Sequence, residues 1–189
     1  WKQKVKKHNY DVMLGHEVSY KSTEYLLGEA MRFPFDQMEN DNMGLGATPS
    51  KVESTYYDKT LLSFYARANY NYDNRYLFTA TVRADGSTVF SSNKKWGFFP
   101  SFSAAWRVSE EAFMKDIKWI SNFKIRLGWG TVGNDNIPNY LSLDLYEANK
   151  YGIGNSSVTV LNPKQLRNKN LKWEGSNTTN LGIDLGFFD

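Results

Sequence analysis

The strongest constraint in this sequence is a period-two alternation of apolar and polar side chains, which recurs in six segments of about ten residues. The segments cover roughly residues 9–19, 61–72, 76–85, 97–108, 123–132 and 179–188. Because successive side chains of a β-strand point to opposite faces of its sheet, the alternation predicts six strands with one apolar and one polar face. A tilted strand of about ten residues also has the length needed to cross the apolar band of an outer-membrane barrel.

The charged residues of these segments all fall on the polar face when the phase of each strand is set by its apolar residues alone. They are Asp11, Glu17, Arg67, Arg83, Asp85, Arg107, Lys124, Arg126 and Asp184. A lipid-facing Arg or Lys at the bilayer midplane costs roughly 2–4 kcal/mol, so a membrane barrel has a physical reason for this segregation. A soluble β-sandwich also separates its two faces, and the alternation alone leaves that fold open.

Aromatic residues near the predicted strand ends favour the membrane barrel. Tyr70, Tyr72 and Tyr76 flank a short turn at residues 73–74, and Trp96, Phe98 and Phe99 open the fourth segment. Such residues form the girdles found at the two interfaces of a bilayer. Ordinary aromatic packing within a β core is the alternative explanation.

The predicted connections fall into two classes that fit a barrel. The connections at residues 20–59 and 133–177 are long, and the turn at residues 73–74 is short enough for a tight hairpin. The connection at 109–120 has a helix-like pattern, with Ser109 as the N-cap and Glu110 and Glu111 in an acidic first turn. If the first strand runs outward, both long connections lie outside, and the 73–74 turn and the 109–120 connection lie on the periplasmic side.

Composition excludes several classes of function. The absence of Cys rules out disulfides, thiolate zinc sites and a Cys nucleophile, and two histidines, His8 and His16, are too few for a multi-His metal centre. The formal net charge of +3 does not indicate nucleic-acid binding, and no apolar run approaches the length of about 20 residues of a transmembrane helix. No carboxylate pair, nucleophile elbow or phosphate-cradling glycine loop is recognisable. We therefore expect no enzymatic activity, no metal and no cofactor.

An ordered set of short motifs resembles a known family. The set comprises YARANY at 65–70, NRY at 74–76, RADGS at 83–87, WGFFPS at 96–101, AWRVS at 105–109, FKIRLGWG at 123–130, TVGN at 131–134, WE at 173–174 and NLGID at 180–184. In this order they resemble the SusC/RagA-type TonB-dependent outer-membrane transporters of Bacteroidota. The resemblance covers residues 60–134 and 171–189.

The resemblance implies an all-β fold, an antiparallel up-and-down meander in which about six strands form part of a barrel of about 22 strands. Residues 1–189 are then a partial barrel domain, and the plug domain and TonB box of such a transporter lie outside this sequence. The implied function is TonB-energised import, across the outer membrane of a Gram-negative bacterium, of a glycan or peptide oligomer too large for porins. The implied partners are outer-membrane lipid, a SusD-type surface lipoprotein and the TonB complex. A soluble β-sandwich that binds glycans and a passive porin-like barrel are the alternatives.

Two groups of residues are the candidate site residues under this resemblance. Seven are predicted to face the barrel lumen: Arg67, Arg83, Asp85, Arg107, Lys124, Arg126 and Asp184. Substrate contacts are predicted from the outer connections, at Asn134, Asp135, Asn136, Asn139 and Tyr140 and at Tyr25, Phe33, Phe35, Tyr56 and Tyr57. Ion pairing with a plug and packing among loops are the alternative roles of these two groups.

Overall fold

The computed structural model describes residues 1–35, 42–154 and 156–188. Its strands are β1 (Lys2–Val5), β2 (His8–Met31), β3 (Thr48–Tyr72), β4 (Tyr76–Ser87), β5 (Trp96–Arg107), β6 (Ile120–Asn134), β7 (Leu145–Ile153), β8 (Ser156–Gln165) and β9 (Glu174–Phe187). Short 3₁₀ turns occur at Met43–Leu45, Val108–Glu110 and Ala112–Met114. No helix among these residues has the length and apolar character needed to cross a bilayer.

The strands form a seven-stranded sheet in the order β1-β2-β3-β4-β5-β6-β9, with β7 and β8 in a separate two-stranded sheet. The pairs β1–β2, β3–β4, β4–β5, β5–β6 and β6–β9 are antiparallel. This is the expected antiparallel meander, with a short edge strand added before the six expected strands. The β7–β8 hairpin lies within the connection between β6 and β9.

The pairing register places the seven predicted lumen residues on one face of the sheet. Along one row of this face Arg67 pairs with Thr81, which pairs with Ser101, which pairs with Gly130. Arg107 pairs with Lys124, and Lys124 pairs with Asp184. The opposite face carries rows such as Phe78, Ala104, Leu127 and Leu181. We call these the polar face and the apolar face.

Many large side chains of the apolar face are exposed. Phe98 is 66% exposed, Leu127 49%, Leu181 74% and Ile183 59%. Among the described residues, the buried apolar side chains Val89, Phe90 and Val108 lie instead in connections between strands. A contiguous apolar surface of this kind is typical of a face that contacts lipid or another protein.

One end of the sheet, which we call the turn end, carries the connections β1–β2, β3–β4 and β5–β6. At the β3–β4 turn, Asp73 and Asn74 adopt φ values of 51° and 54°, and the Arg75 N–H donates to the Tyr72 carbonyl oxygen at 2.9 Å. Asp and Asn tolerate this left-handed conformation, so the sequence favours the tight hairpin that we predicted. The β4–β5 and β6–β9 connections lie at the opposite end, the loop end.

The predicted helix at 109–120 is wrong. Two 3₁₀ turns replace it, and Ser109 lies inside the first of them rather than at the N-cap of a helix. Glu111 instead accepts hydrogen bonds from the Tyr76 hydroxyl at 2.7 Å and the Trp106 Nε1 at 3.1 Å, and pairs with Arg75 Nη1 at 3.2 Å. These three contacts hold the connection against the turn end, so the Glu111 carboxylate is not free to stabilise the first turn of a helix.

The chain divides into two units, residues 1–19 with 61–189 and residues 20–60. The second unit holds the last part of β2 and the first part of β3, so the predicted loop at 20–59 is largely strand. Within it, the Tyr20 and Tyr56 hydroxyls lie 3.4 Å apart, and Lys51 pairs with Glu53 at 2.9 Å. Most of its described side chains are exposed, as expected for strands without a buried face.

Candidate functional site

Arg83 is the centre of the densest polar network on the polar face. Its Nε donates to Asp85 at 2.7 Å and 2.9 Å, and its Nη2 donates to the Ser63 hydroxyl at 2.9 Å. Glu17 lies 3.4 Å from the same Nη2, and the guanidinium lies 5.8 Å from the centre of the Tyr65 ring. Pairing of Ser63 with Asp85 and of Tyr65 with Arg83 brings these side chains together. The network thus fixes one guanidinium against two carboxylates, and charge-assisted hydrogen bonds hold Arg83 in place.

The other predicted lumen residues make separate, smaller contacts. Arg126 Nη2 donates to Asp184 at 2.7 Å, across a strand position where Gly182 leaves room for the guanidinium. Arg67 Nε donates to Thr81 at 3.2 Å, and Arg107 pairs with Glu110 at 2.9 Å at the turn end. Lys124 pairs in register with Asp184. The structure thus places all seven on one face but does not gather them into one cluster.

At the loop end, the β4–β5 connection packs on Trp173, which precedes β9. Phe90 is 2% exposed, and its ring centre lies 5.2 Å from that of Trp173. Trp173 also contacts Phe99 of the polar face at 5.2 Å, and its Nε1 donates to the Lys95 carbonyl oxygen at 2.8 Å. We call residues 88–95 together with Trp173 the ledge. These contacts tie two connections that are far apart in sequence into one fixed structure.

A trough of about 660 Å³ lies on the polar face next to the ledge. Its walls include Arg83, Asp85, Phe99, Asp135 and Trp173. Hydroxyl and amide side chains and glycines form much of the lining: Thr79, Thr81, Ser101, Ser103, Gly128, Gly130, Thr131, Gly133, Thr178 and Asn180. The apolar residues Leu61, Phe102, Trp129 and Val132 also line it. Aromatic rings beside hydroxyl and amide groups provide both stacking and hydrogen-bonding partners for a polar ligand.

Two glycines of the trough differ in the space around them. At Gly128 an added Cβ would have no heavy atom within 4 Å, so the floor there is open. At Gly133 an added Cβ would collide with the Phe99 ring, so glycine is required for the ring to lie where it does. The smooth floor and the position of Phe99 are therefore both determined by glycine.

The predicted binding residues of the β6–β9 connection mainly make hydrogen bonds with nearby parts of that connection. The Asn134 side chain donates to Glu174 at 3.0 Å and accepts from the Asn136 N–H at 2.9 Å. The Tyr140 carbonyl oxygen accepts a hydrogen bond from Gln165 Nε2 at 2.9 Å. Only Asp135 of the five predicted residues of this connection, Asn134, Asp135, Asn136, Asn139 and Tyr140, lines the trough.

The predicted aromatic binding residues of the first long connection all lie in the second unit. Tyr25 on β2 and Tyr56 on β3 are 52% and 56% exposed, and Tyr57 is half-buried. Phe33 is half-buried and Phe35 is exposed after the end of β2. They are strand or strand-end residues rather than members of one long loop.

Phe99 was predicted as an aromatic residue of the girdle and not as a site residue, and the sequence pattern did not indicate Trp173 as a site residue. Phe99 pairs with Arg83 and so occupies a polar-face position, where an aromatic residue breaks the alternation. That break in the alternation indicates an aromatic ring on the polar face of the sheet. Trp173 is 74 residues further along the chain, and no local pattern places it against Phe99.

The family model described as "TonB dependent receptor-like, beta-barrel" matches residues 3–189. The chain belongs to this family. The TonB-dependent receptor SusC of Bacteroides thetaiotaomicron is 44% identical to it over 135 residues, 69% of this chain and 13% of that protein. The TonB-dependent receptor P3 of Formosa agariphila is 34% identical over 182 residues, 96% of this chain and 18% of that protein.

Solved structures agree with the family assignment. The structure of the RagAB peptide transporter matches this TonB-dependent receptor chain over 100% of its length, with a TM-score of 0.85 and 26% identity, and the match covers 21% of that chain. The SusC/RagA resemblance and the all-β slice of a larger barrel are thus confirmed. The soluble β-sandwich is excluded as the fold. The chain spans 13% and 18% of the length of the two relatives named above.

Proposed function

We propose that the parent of this TonB-dependent receptor chain imports an oligomeric nutrient, glycan or peptide, across the outer membrane with energy from a TonB complex. The chain forms part of the barrel wall, with the apolar face toward lipid and the polar face toward the lumen. The separation of the two faces supports this orientation, since the seven charged residues on the polar face oppose an exposed apolar face. A lipid-facing charge would cost roughly 2–4 kcal/mol.

In this proposal the trough contacts the substrate as it enters from the loop end. The rings of Phe99 and Trp173 offer stacking surfaces, and the hydroxyl groups of Thr79, Thr81 and Ser101 offer hydrogen bonds. The trough holds one guanidinium, Arg83, and two carboxylates, Asp85 and Asp135, so it suits hydroxyls and peptide amides and disfavours acidic groups. Asn134, Asn136, Asn139 and Tyr140, and Tyr56 and Tyr57, remain proposed contacts that the substrate meets outside the trough.

The proposal includes two protein partners. A SusD-type surface lipoprotein lies at the loop end, and a TonB complex acts through sequence outside this chain. RagAB is a peptide transporter, and that cargo is a property of RagAB itself. For this chain, a peptide and a glycan are equal candidates, because the hydroxyl groups and rings of the trough suit both.

Trp173→Ala in the full-length parent tests the role of the trough. We expect about tenfold weaker binding of the imported oligomer by calorimetry, because a stacked aromatic contact contributes on the order of 1–3 kcal/mol. Trp119→Ala is the matched control, since Trp119 is an exposed tryptophan at the turn end, stacks on Phe187 and does not line the trough. Equal affinity in wild type and Trp173→Ala would overturn the proposed contact.

Growth on single oligomers tests import itself. We expect a strain lacking the parent gene, or lacking TonB, to lose growth on the oligomer while growing normally on its monomer. Growth that persists without TonB would instead support the passive porin-like alternative.

A further inference from the structure

The turn end of the sheet combines exposed aromatic rings with exposed lysines that form no salt bridge in the part of the chain that the structure describes. On the apolar face, rings extend from Tyr10 and Tyr70 through Tyr76 and Trp106 to Trp119, which stacks on Phe187 at 5.9 Å. Trp119 is 52% and Phe187 50% exposed. Rings of this kind mark the depth of a bilayer interface.

Basic residues lie in the connections directly beyond these rings. The three connections at the turn end, residues 6–7, 73–75 and 107–118, contain six basic and four acidic residues. The basic ones are Lys6, Lys7, Arg75, Arg107, Lys115 and Lys118, and the acidic ones are Asp73, Glu110, Glu111 and Asp116. The acidic Asp73, Glu110 and Glu111 already pair with Lys7, Arg75 and Arg107. Lys6, Lys115 and Lys118 are exposed and form no salt bridge within the described residues, although Lys115 interacts with Asp73 at longer range.

Two of these lysines lie next to exposed aromatic residues in sequence. Lys118 precedes Trp119, and Lys115 follows the 3₁₀ turn that carries Phe113, which is 64% exposed. An aromatic ring at the interface and an ammonium group just beyond it match the acyl boundary and the phosphate of a lipid. The Glu111 contacts to Tyr76, Trp106 and Arg75 hold the connection that carries these lysines beside the girdle.

We propose that Lys6, Lys115 and Lys118 bind the headgroups of anionic phospholipids in the periplasmic leaflet of the outer membrane. The proposal rests on the orientation given under the proposed function, in which the turn end is periplasmic. The exposed apolar face supplies the acyl-chain surface, and the three lysines supply charge complementary to a phosphodiester. Each basic residue near an anionic membrane surface contributes about fivefold in affinity.

Native mass spectrometry of the full-length parent, titrated with phosphatidylglycerol or phosphatidylethanolamine, tests the proposal. We expect the wild type to prefer phosphatidylglycerol by about tenfold or more, and the triple variant K6Q/K115Q/K118Q to lose this preference. The variant K6R/K115R/K118R keeps it, because the charge is retained. The matched control, K150Q/K164Q/K169Q, removes three exposed lysines from the β6–β9 connection at the loop end and is expected to keep the preference within about twofold.

Equal affinity for the two lipids in the wild type, or the same loss in both glutamine variants, would overturn the proposal. A heat-dependent shift in gel mobility confirms that each variant is a folded barrel. If the parent shows no such shift and retains no lipid of either kind, the proposed membrane function fails; a folded barrel without lipid preference refutes only the lysine site.

Discussion

Placing an arginine on each face of β9 tests which face meets lipid. Leu181 lies on the apolar face, pairs with Leu127 and is the eighth of 14 residues of β9, which puts it near mid-strand. If that face meets lipid, Leu181→Arg places a charge near the bilayer midplane. The cost there is roughly 2–4 kcal/mol.

Asn180 provides the matched control, because it is adjacent and on the polar face. It pairs with Gly128, where the floor of the trough is open, so a long side chain fits without collision. We expect Asn180→Arg to change the free energy of unfolding by less than about 1 kcal/mol.

The assay is reversible urea unfolding of the full-length parent in liposomes, followed by tryptophan fluorescence. We predict a loss of roughly 2–4 kcal/mol for Leu181→Arg and little change for Asn180→Arg. Equal losses for the two variants, or a larger loss for Asn180→Arg, would refute the assignment of the faces.

Three further predictions concern the ion pairs, the turn end and the trough. Arg83→Met removes the donor of the buried Asp85 and Ser63, so we expect a loss of about 1–3 kcal/mol in the same unfolding assay, and no loss would contradict the network. The Tyr76 hydroxyl bond, followed by the Trp106 bond, lowers the pKa of Glu111, so its stabilising contribution is present above the ordinary Glu value of about 4.3 and is lost as pH falls below it. Glu111→Gln should therefore flatten the acid side of the stability profile, and an unchanged profile would contradict this assignment. Gly128→Trp should fill the open floor of the trough and weaken oligomer binding at unchanged stability, whereas unchanged binding would place the ligand elsewhere.

The central parts of the strands were predictable because one face of each is apolar. Residues 61–72, 76–85 and 123–132 alternate cleanly, and β3, β4 and β6 contain them. The extension of β2 to Met31 was not predictable in the same way, because side chains there are mostly exposed. Without a buried face, the strand shows no period-two alternation of apolar and polar residues. The β7–β8 hairpin was missed for a related reason: Leu161 on one face and Tyr151 on the other are both exposed.

The candidate site was predictable only in part, because it depends on contacts between distant segments. The face of Arg83 and Asp85 follows from local alternation, and the structure agrees with it. Trp173 of the ledge contacts both Phe90 and Phe99, and sequence spacing does not specify those contacts. The acidic pair Glu110 and Glu111 resembles a helix start. In the structure Glu110 pairs with Arg107, and Glu111 accepts hydrogen bonds at the turn end from Arg75, Tyr76 and Trp106.

Spin-label accessibility along β9 tests the central claim most directly, because it reports which side chains contact lipid and which contact water. Single cysteines would be introduced at residues 178–185 of a cysteine-free full-length parent and labelled in liposomes. We predict that oxygen accessibility is highest at residues 179, 181, 183 and 185, and that accessibility to a water-soluble nickel chelate is highest at 178, 180, 182 and 184. Water accessibility at both sets of positions, or no alternation along the strand, would contradict it.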